Sequence, residues 1–291
     1  MNNEPNIEIR QELINIFKLK QYSKLLEKIS KLQINFNKSI FLLNLTGVVN
    51  SNLQNYEEAI KNFKSIIKIN PLFADAYYNL GNIYKTLNLI DDSIKNYLKC
   101  IEIEPNKFEA HNNLGNIFRE NNNIGLAIEK YLQCLEINPN YLIALQNFGI
   151  CLQNFKFNKT SSKIDRHIIN LLNKNNILRP VDIINSLINY IHLDPKFKII
   201  IKKLKKNYLL ENLIEDIYDI KILIALMKIT PIADLNIEKI IRYLRSNILL
   251  NISSIKNREI TFKVMESIAS QCFINEYIYP LETTEKETLK I

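Results

Sequence analysis

One spacing constrains this chain more than any other feature: in its first half the same residue types return every 34 positions. Four sets of residues share this step: Gly47, Gly81, Gly115 and Gly149; Pro71, Pro105 and Pro139; Ala59, Ser93 and Ala127; and Phe63, Tyr97 and Tyr131. A fixed period of this length is typical of repeat proteins, in which each unit buries its apolar face against its neighbours.

Each unit predicts two helices joined by a short turn. In residues 74–107, apolar or small side chains at i, i+3, i+4 and i+7 form one stripe on a first helix: Tyr77, Leu80, Gly81 and Tyr84. A second helix, starting at Asp91, is predicted to turn Ser93 and Tyr97 toward the first, and Pro105 ends it because proline cannot continue a helix. The chain has only 5 glycines in 291 residues, too few for the turns of an α/β enzyme, and therefore favours an all-α fold.

These residues resemble the tetratricopeptide repeat, whose signature is aromatic-x2-Leu-Gly-x2-Tyr, then Ala-x3-Phe, then Pro. Residues 74–107 and 108–141 match it almost throughout, residues 40–73 match in their second helix, and a partial unit covers 142–155. Residues 1–39 look like a degenerate first repeat that caps the stack. The resemblance implies a solenoid of helical hairpins, wound as a right-handed superhelix, followed by a helical C-terminal domain.

In the tetratricopeptide family the first helices line a concave groove that holds a peptide. The family's groove positions, carried over to this sequence, are Asp75, Tyr78, Asn79, Asn82, Lys85 and Thr86 in one unit, Glu109, Asn112, Asn113, Asn116, Arg119 and Glu120 in the next, and Gln146, Asn147 and Gln153 in the last. The expected partner is therefore a protein or peptide.

Three of these residues, Asn79, Asn113 and Asn147, stand one per unit and resemble the asparagine ladder of peptide O-GlcNAc transferases. An asparagine side chain offers both a donor and an acceptor, so such a ladder can bind an extended backbone without reading its sequence. The alternative is a solvated surface, because asparagine is abundant in this chain. A carboxylate clamp fits less well: Asn82, Asn116 and Arg119 suit it, but Leu45, Val48 and Ser51 replace the first unit's polar groups. His111 is expected to be a packing residue.

Beyond the repeats, residues 156–280 predict an all-helical domain and 281–291 a polar tail. The predicted helices are 161–174, 181–192, 196–206, 209–228, 236–250 and 259–275. No glycine follows Gly149, which excludes a glycine-rich phosphate loop, a dinucleotide fingerprint and a nucleophile elbow from this half. Three segments, 175–191, 225–251 and above all 267–279, resemble the helical region that precedes the methyltransferase domain in bacterial repeat–methyltransferase proteins. The cofactor-binding domain itself is absent, so no activity carries over.

Charge and cysteine content bear on whether the chain binds nucleic acid or a metal ion. The formal net charge is +8, yet residues 40–141 hold nine basic against eleven acidic residues, so the excess lies mostly between 156 and 250. Its densest part, 196–206, also reads as one helix with a buried stripe and solvated lysines, and nucleic acid is therefore the weaker hypothesis. Four cysteines without CxxC spacing predict free thiols and no metal site. With no secretory signal and no apolar run of about 18 residues, a cytoplasmic protein is expected.

The sequence thus predicts a non-enzymatic interaction module, an adaptor or scaffold that needs no cofactor or metal and holds a peptide in its repeat groove. Two alternatives stay open. The chain could be the substrate-recruiting, non-catalytic part of an S-adenosylmethionine-dependent methyltransferase, or the repeat region of an O-GlcNAc-type glycosyltransferase.

Overall fold

The computed structural model describes residues 4–174, 176–204, 209–251 and 255–274, and within them it contains sixteen α-helices, one short 3-10 helix and no strand. The predicted all-α hairpin solenoid is confirmed. Contacts group the chain into two units, Met1–Asn123 and Ile124–Ile291. The predicted polar tail, 281–291, and the end of the preceding helical region lie outside the described residues.

The first unit is a series of helical hairpins. Its helices are α1 (Ile7–Lys18), α2 (Tyr22–Gln33), α3 (Ile40–Asn52), α4 (Tyr56–Ile69), α5 (Ala74–Thr86), α6 (Ile90–Ile103) and α7 (Phe108–Glu120). Each helix packs against the next one along the chain, and α3 also contacts α5. Local contacts of this kind are the basis of a stacked repeat.

The turn inside each hairpin contains one residue in the left-handed region. These residues are again 34 apart: Lys20 (φ 55°), Gln54 (φ 63°), Asn88 (φ 59°) and Asn122 (φ 59°). At the third turn, Asn88 N donates to the Lys85 carbonyl at 3.0 Å and Leu89 N to the Tyr84 carbonyl at 2.8 Å. This pair of bonds is the Schellman motif, which satisfies carbonyls at a helix C-terminus. The same pair closes α1, so the hairpin geometry extends to residues 7–33.

Glycine allows the two helices of a hairpin to approach closely. The fully buried ring of Tyr97, on α6, lies directly over Gly81 on α5: a Cβ atom added at Gly81 would stand 2.7 Å from the ring carbons Cδ1 and Cε1. At the preceding repeat a Cβ on Gly47 would stand 2.8 Å from Phe63 Cζ. Small Ser93 adds a hydrogen bond from its hydroxyl to the Gly81 carbonyl at 2.8 Å. At Gly47 and Gly81 the 34-residue period therefore marks a place where an aromatic ring needs the room, whereas a Cβ on Gly149 would meet Leu171 and Leu178.

The second unit contains α8 (Ile124–Ile137), α9 (Leu142–Leu152), α10 (Ser162–Leu172), α11 (Ile184–Leu193), α12 (Pro195–Lys203), α13 (Leu210–Asp219), α14 (Lys221–Ile229), α15 (Leu235–Asn251) and α16 (Arg258–Ile274), with a 3-10 turn at Pro180–Asp182. The predicted single helix 209–228 is wrong, because Ile220 (φ −81°, ψ 73°) breaks it into α13 and α14. Ile220 is itself buried, and the break lets both short helices pack on α16.

Within the described ranges, none of the helices combines the length and the apolar character that a membrane crossing needs.

Candidate peptide-binding surface

Helices α5 and α7, the first helices of two successive repeats, are joined by polar contacts along their whole length. Lys107, which precedes α7, pairs with Asp75 in the first turn of α5 at 2.6 Å. Asn113 donates to Asn82 at 3.0 Å in the middle, and Lys85 pairs with Glu120 at 2.9 Å at the other end. We call this the α5–α7 surface and define it by the following residues: Asp75, Tyr78, Asn79, Asn82, Lys85, Lys107, Asn113 and Glu120.

The centre of the α5–α7 surface is a hydrogen-bonded cluster of two tyrosines and two asparagines. The Tyr97 hydroxyl donates to Asn82 Oδ1 at 2.6 Å. The Asn113 amide donates to the same oxygen and lies 3.3 Å from Tyr97 Oη and 3.4 Å from Tyr78 Oη. The two tyrosine rings pack with their centroids 6.0 Å apart. These contacts fix the rotamers of the cluster, so little side-chain entropy is left to lose when a partner binds.

One amide of the α5–α7 surface has no hydrogen bond within the described part of the chain. Asn79 makes none, whereas Asn82 accepts hydrogen bonds from Tyr97 and Asn113. Asn79 is half-buried, so its amide stays open to an incoming group. A half-buried amide without a partner is a favourable place for a ligand's carbonyl or N–H.

The charges of the α5–α7 surface stand in ion pairs at its two ends. Burial lowers the pKa of Lys107, but the hydrogen bond and charge of Asp75 outweigh this and raise the pKa overall. Burial raises the pKa of Tyr97 and of Tyr78, so both hydroxyls stay protonated near neutral pH. The centre is therefore uncharged. Exposed ion pairs add little stability, and their main effect is to hold the side chains in place.

Other residues predicted for the groove have different surroundings. Glu109, Asn116 and Arg119 are half-buried on α7, whereas Asn112 is 3% exposed and is the least accessible of the set. Gln146 is exposed and Asn147 half-buried on α9, which belongs to the second unit, and their place in a groove stays a prediction.

Sequence reasoning missed the polar roles of Tyr97 and Lys107. The sequence predicts that Tyr97 faces the first helix of its hairpin, but not that its hydroxyl donates to Asn82 Oδ1. A signal for this exists in the repeats: the preceding unit has Phe63 in place of Tyr97 and Val48 in place of Asn82. The tyrosine hydroxyl and the asparagine that accepts from it are thus present together in one unit, and both are replaced by apolar residues in the preceding unit.

The described residues contain no group of three or more His, Cys, Asp or Glu side chains that could hold a metal ion. His111 is 7% exposed with its Nε2 3.1 Å from the Pro105 carbonyl oxygen, as expected of a packing residue. The chemistry of the α5–α7 surface is thus hydrogen bonding and ion pairing.

Two protein-family models match the chain. One, described as TPR repeat, matches residues 52–88, and the other, described as tetratricopeptide repeat, matches 74–107 and 108–141. The latter bounds coincide with the two units that the sequence defines best. Residues 52–141 are therefore tetratricopeptide repeats, which build extended binding surfaces as protein-interaction scaffolds. These matches do not reach the second half, whose likeness to a methyltransferase-associated region stays a prediction.

The chain also has several similar solved structures. A crystal structure of MamA is 17% identical and covers 55% of this chain and 92% of its own, with a TM-score of 0.47. YrrB, described as a TPR protein with an unusual peptide-binding site, is 16% identical over 60% of this chain and 89% of its own, with a TM-score of 0.44. PilF of Pseudomonas aeruginosa is 10% identical and covers 97% of this chain and 95% of its own, with a TM-score of 0.48. No curated protein matches the sequence.

Proposed function

We propose that the repeats bind a segment of another protein in extended conformation, and that the α5–α7 surface contacts its main chain. The observation that carries this proposal is the amide of Asn79, which makes no hydrogen bond in the described chain and lies beside a cluster that is already fixed. An extended peptide presents alternating N–H and C=O groups, which an asparagine amide can pair with as acceptor and donor.

The surface favours an uncharged stretch of main chain over a charged side chain. Its lysines already pair with Asp75 and Glu120, and a partner's carboxylate would have to compete with these ion pairs. The half-buried ring of Tyr78 offers apolar area on which a peptide can lie. The chain is then a non-catalytic adaptor with broad sequence tolerance, because contacts to the main chain are the same for every residue type.

This proposal keeps the predicted organisation, in which residues 40–155 are the binding module, 1–39 a cap and 156–280 a helical domain. Glu109, Asn116 and Arg119 on α7, and Gln146 and Asn147 on α9, stay predicted contacts. The substrate-recruiting role beside a methyltransferase, or beside an O-GlcNAc-type glycosyltransferase, is the alternative. Both alternatives retain peptide binding and differ in requiring a catalytic domain next to it.

The test is a peptide selected by phage display on the whole chain, with its affinity then measured for variants. Asn79→Ala removes two possible hydrogen bonds to the peptide and should weaken binding roughly tenfold, or about 1.4 kcal/mol. The free energy of unfolding should not fall, because Asn79 makes no internal hydrogen bond in the described chain and alanine is the better helix former. The matched control is Asn96→Ala on α6, whose amide bonds only its own helix at Asp92 O, 2.8 Å away.

Two further results decide the matter. A peptide N-methylated at single bonds should lose affinity at those bonds that face Asn79 and Asn82, whereas side-chain substitutions should have little effect. Equal affinity of wild type and Asn79→Ala would contradict the proposal. Asn113→Ala is a poorer probe, because it also breaks the internal cluster and should lower the free energy of unfolding by about 1 kcal/mol.

A further inference from the structure

Helix α3, the first helix of the repeat before α5, presents different chemistry at the positions that form the α5–α7 surface. The residues that stand 34 positions before Asp75, Tyr78, Asn79, Asn82 and Lys85 are Phe41, Asn44, Leu45, Val48 and Ser51. Three of these are apolar, and because they are four and three residues apart they form one stripe on α3. The polar surface of α5 and α7 is thus continued on α3 by an apolar one.

No hydrogen bond or ion pair between side chains joins α3 to α5 in the described part of the first unit. Each of the three polar contacts between α5 and α7 has an uncharged pair in its place here. Phe73 and Phe41 replace Lys107 and Asp75, Asn79 and Val48 replace Asn113 and Asn82, and Ser51 and Thr86 replace Lys85 and Glu120. The contacts that close the α5–α7 surface are therefore missing one repeat earlier.

Two polar groups remain unpaired where α3 meets α5. One is the amide of Asn79, beside which Val48 takes the place that Asn82 takes beside Asn113. The other is Asn44 Oδ1, which is buried and accepts no hydrogen bond in the described chain. Asn44 stands four residues before Val48 and hence on the same side of α3.

The apolar part of this area is small and has a defined end. Leu45 and Val48 are half-buried: Leu45 packs on the core of α1 and α2, and Val48 on the core of α4 and α5. Phe41 is covered by the Arg10 guanidinium, which lies 5.6 Å from the centre of its ring. Asn44 stands in place of the larger Tyr78 and covers less of the helix surface. We call Asn44, Leu45, Val48 and Asn79 the α3–α5 step.

The chemistry of the α3–α5 step selects its occupant. A charged side chain would lose its hydration against Leu45 and Val48 and would find no charged group among these four residues, whereas an aliphatic side chain gains by burial there. In an extended segment successive side chains point to opposite sides, so a segment held by its main chain at Asn79 can direct one side chain onto α3 and the next away from it.

We propose that the segment bound by the α5–α7 surface places one aliphatic side chain against Leu45 and Val48, while Asn44 and Asn79 pair with its main chain. This inference rests on the proposed function and deepens it. The rest of the segment is tolerant of sequence because its main chain is bound, and the residue at the α3–α5 step is the one exception.

Selection of a random peptide library on the whole chain provides the probe. The selected peptides should share one position that holds Val, Ile or Leu and should vary elsewhere. Changing this residue to alanine in the tightest peptide should weaken binding about tenfold, because most of an aliphatic contact is removed. Alanine at the two adjacent positions should have little effect, since these side chains point away from α3.

The matching change in the protein is Leu45→Asn, which introduces the residue that the next two units have at this position. It should also weaken binding about tenfold, and it should make the alanine change in the peptide nearly neutral, because both changes remove the same contact. The control is Leu98→Asn on α6, where the side chain is 49% exposed, and its affinity should equal that of wild type. Val48→Ala is a second, milder variant that should show the same coupling to a smaller extent.

Three results would overturn the proposal. The first is a set of selected peptides without a shared aliphatic position, and the second is a pair of losses that simply add. The third is an unchanged affinity of Leu45→Asn together with a lower mass in solution, which would assign the apolar face to a second copy of the chain. The outcome of Asn79→Ala separates this inference from the proposed function. If Asn79→Ala weakens binding and Leu45→Asn does not, main-chain binding stands and the aliphatic position is wrong. Circular dichroism at 222 nm verifies that every variant is folded.

Discussion

Replacing Gly81 by alanine tests whether the close approach of α5 and α6 sets the hairpin geometry. The added methyl group would lie 2.7 Å from two carbons of the Tyr97 ring, well inside ordinary contact distance. The ring cannot readily give way, because it is fully buried and its hydroxyl is bonded to Asn82 and lies within 3.3 Å of the Asn113 amide. We therefore expect the substitution to destabilise the first unit.

The expected change in the free energy of unfolding for Gly81→Ala is the difference of two effects. Alanine is the better helix former and should stabilise α5 by roughly 1 kcal/mol relative to glycine. Overpacking a tight interior usually costs about 1–3 kcal/mol, and a contact this short on a ring that is held in place belongs in the upper part of that range. The net expectation for Gly81→Ala is a loss of about 1–2 kcal/mol in the free energy of unfolding.

A second helical glycine supplies the control. Around Gly125, in α8, no atom of the described chain other than the adjoining backbone of its own helix lies within 4 Å of the position that a Cβ would take. Gly125→Ala should therefore show only the propensity effect, a gain of up to about 1 kcal/mol.

Urea unfolding followed by circular dichroism at 222 nm gives both values, each relative to wild type. The two substitutions are chemically identical and should have opposite signs. If Gly81→Ala proves as stable as Gly125→Ala, the close contact between Gly81 and Tyr97 does not limit the packing of α5 on α6.

Two further predictions concern the repeat itself. The hydrogen bond between Tyr97 and Asn82 should appear in a double-mutant cycle: Tyr97→Phe and Asn82→Val each destabilise, but the double variant, which recreates the natural pair Phe63 and Val48, should lose about 0.5–1.5 kcal/mol less than the sum. Additive losses in urea unfolding would contradict the coupling. Gln54→Gly should stabilise the chain by about 1 kcal/mol, because glycine adopts the left-handed conformation without the cost that a Cβ imposes. Lys64→Gly, at an exposed helical site in α4, should instead destabilise by about 1 kcal/mol.

Much of the fold could be predicted because the repeated residues each mark one place in a helical hairpin. These residues are a glycine, a small residue (alanine or serine), an aromatic residue and a proline. Their common period of 34 residues indicates that successive hairpins stack in register. The left-handed turn residues were harder to find. Asn88 and Asn122 are residue types that adopt this conformation readily, but Lys20 and Gln54 are not, and only their distance of 34 residues from the asparagines identifies them.

The second half of the chain has no repeat against which a helix boundary could be compared. Its helices are predicted from prolines and apolar stripes, and this reasoning fails where a helix ends without either signal. The break between α13 and α14 occurs at Ile220, and no glycine or proline marks it. The turn is determined by burial of the isoleucine against neighbouring helices rather than by a local preference. Tertiary packing of this kind cannot be read from a single segment.

The asparagine ladder shows why equivalent positions in a repeat need not have equivalent function. Asn79 and Asn113 occupy the same place in successive units, yet the Asn113 amide is held by Asn82, whereas Asn79 makes no hydrogen bond in the described chain. The difference comes from the unit before. The counterpart of Asn82 for Asn79 is Val48, which has no acceptor to offer. A repeat therefore predicts where a side chain lies, while the preceding repeat decides whether that side chain is free to bind a partner.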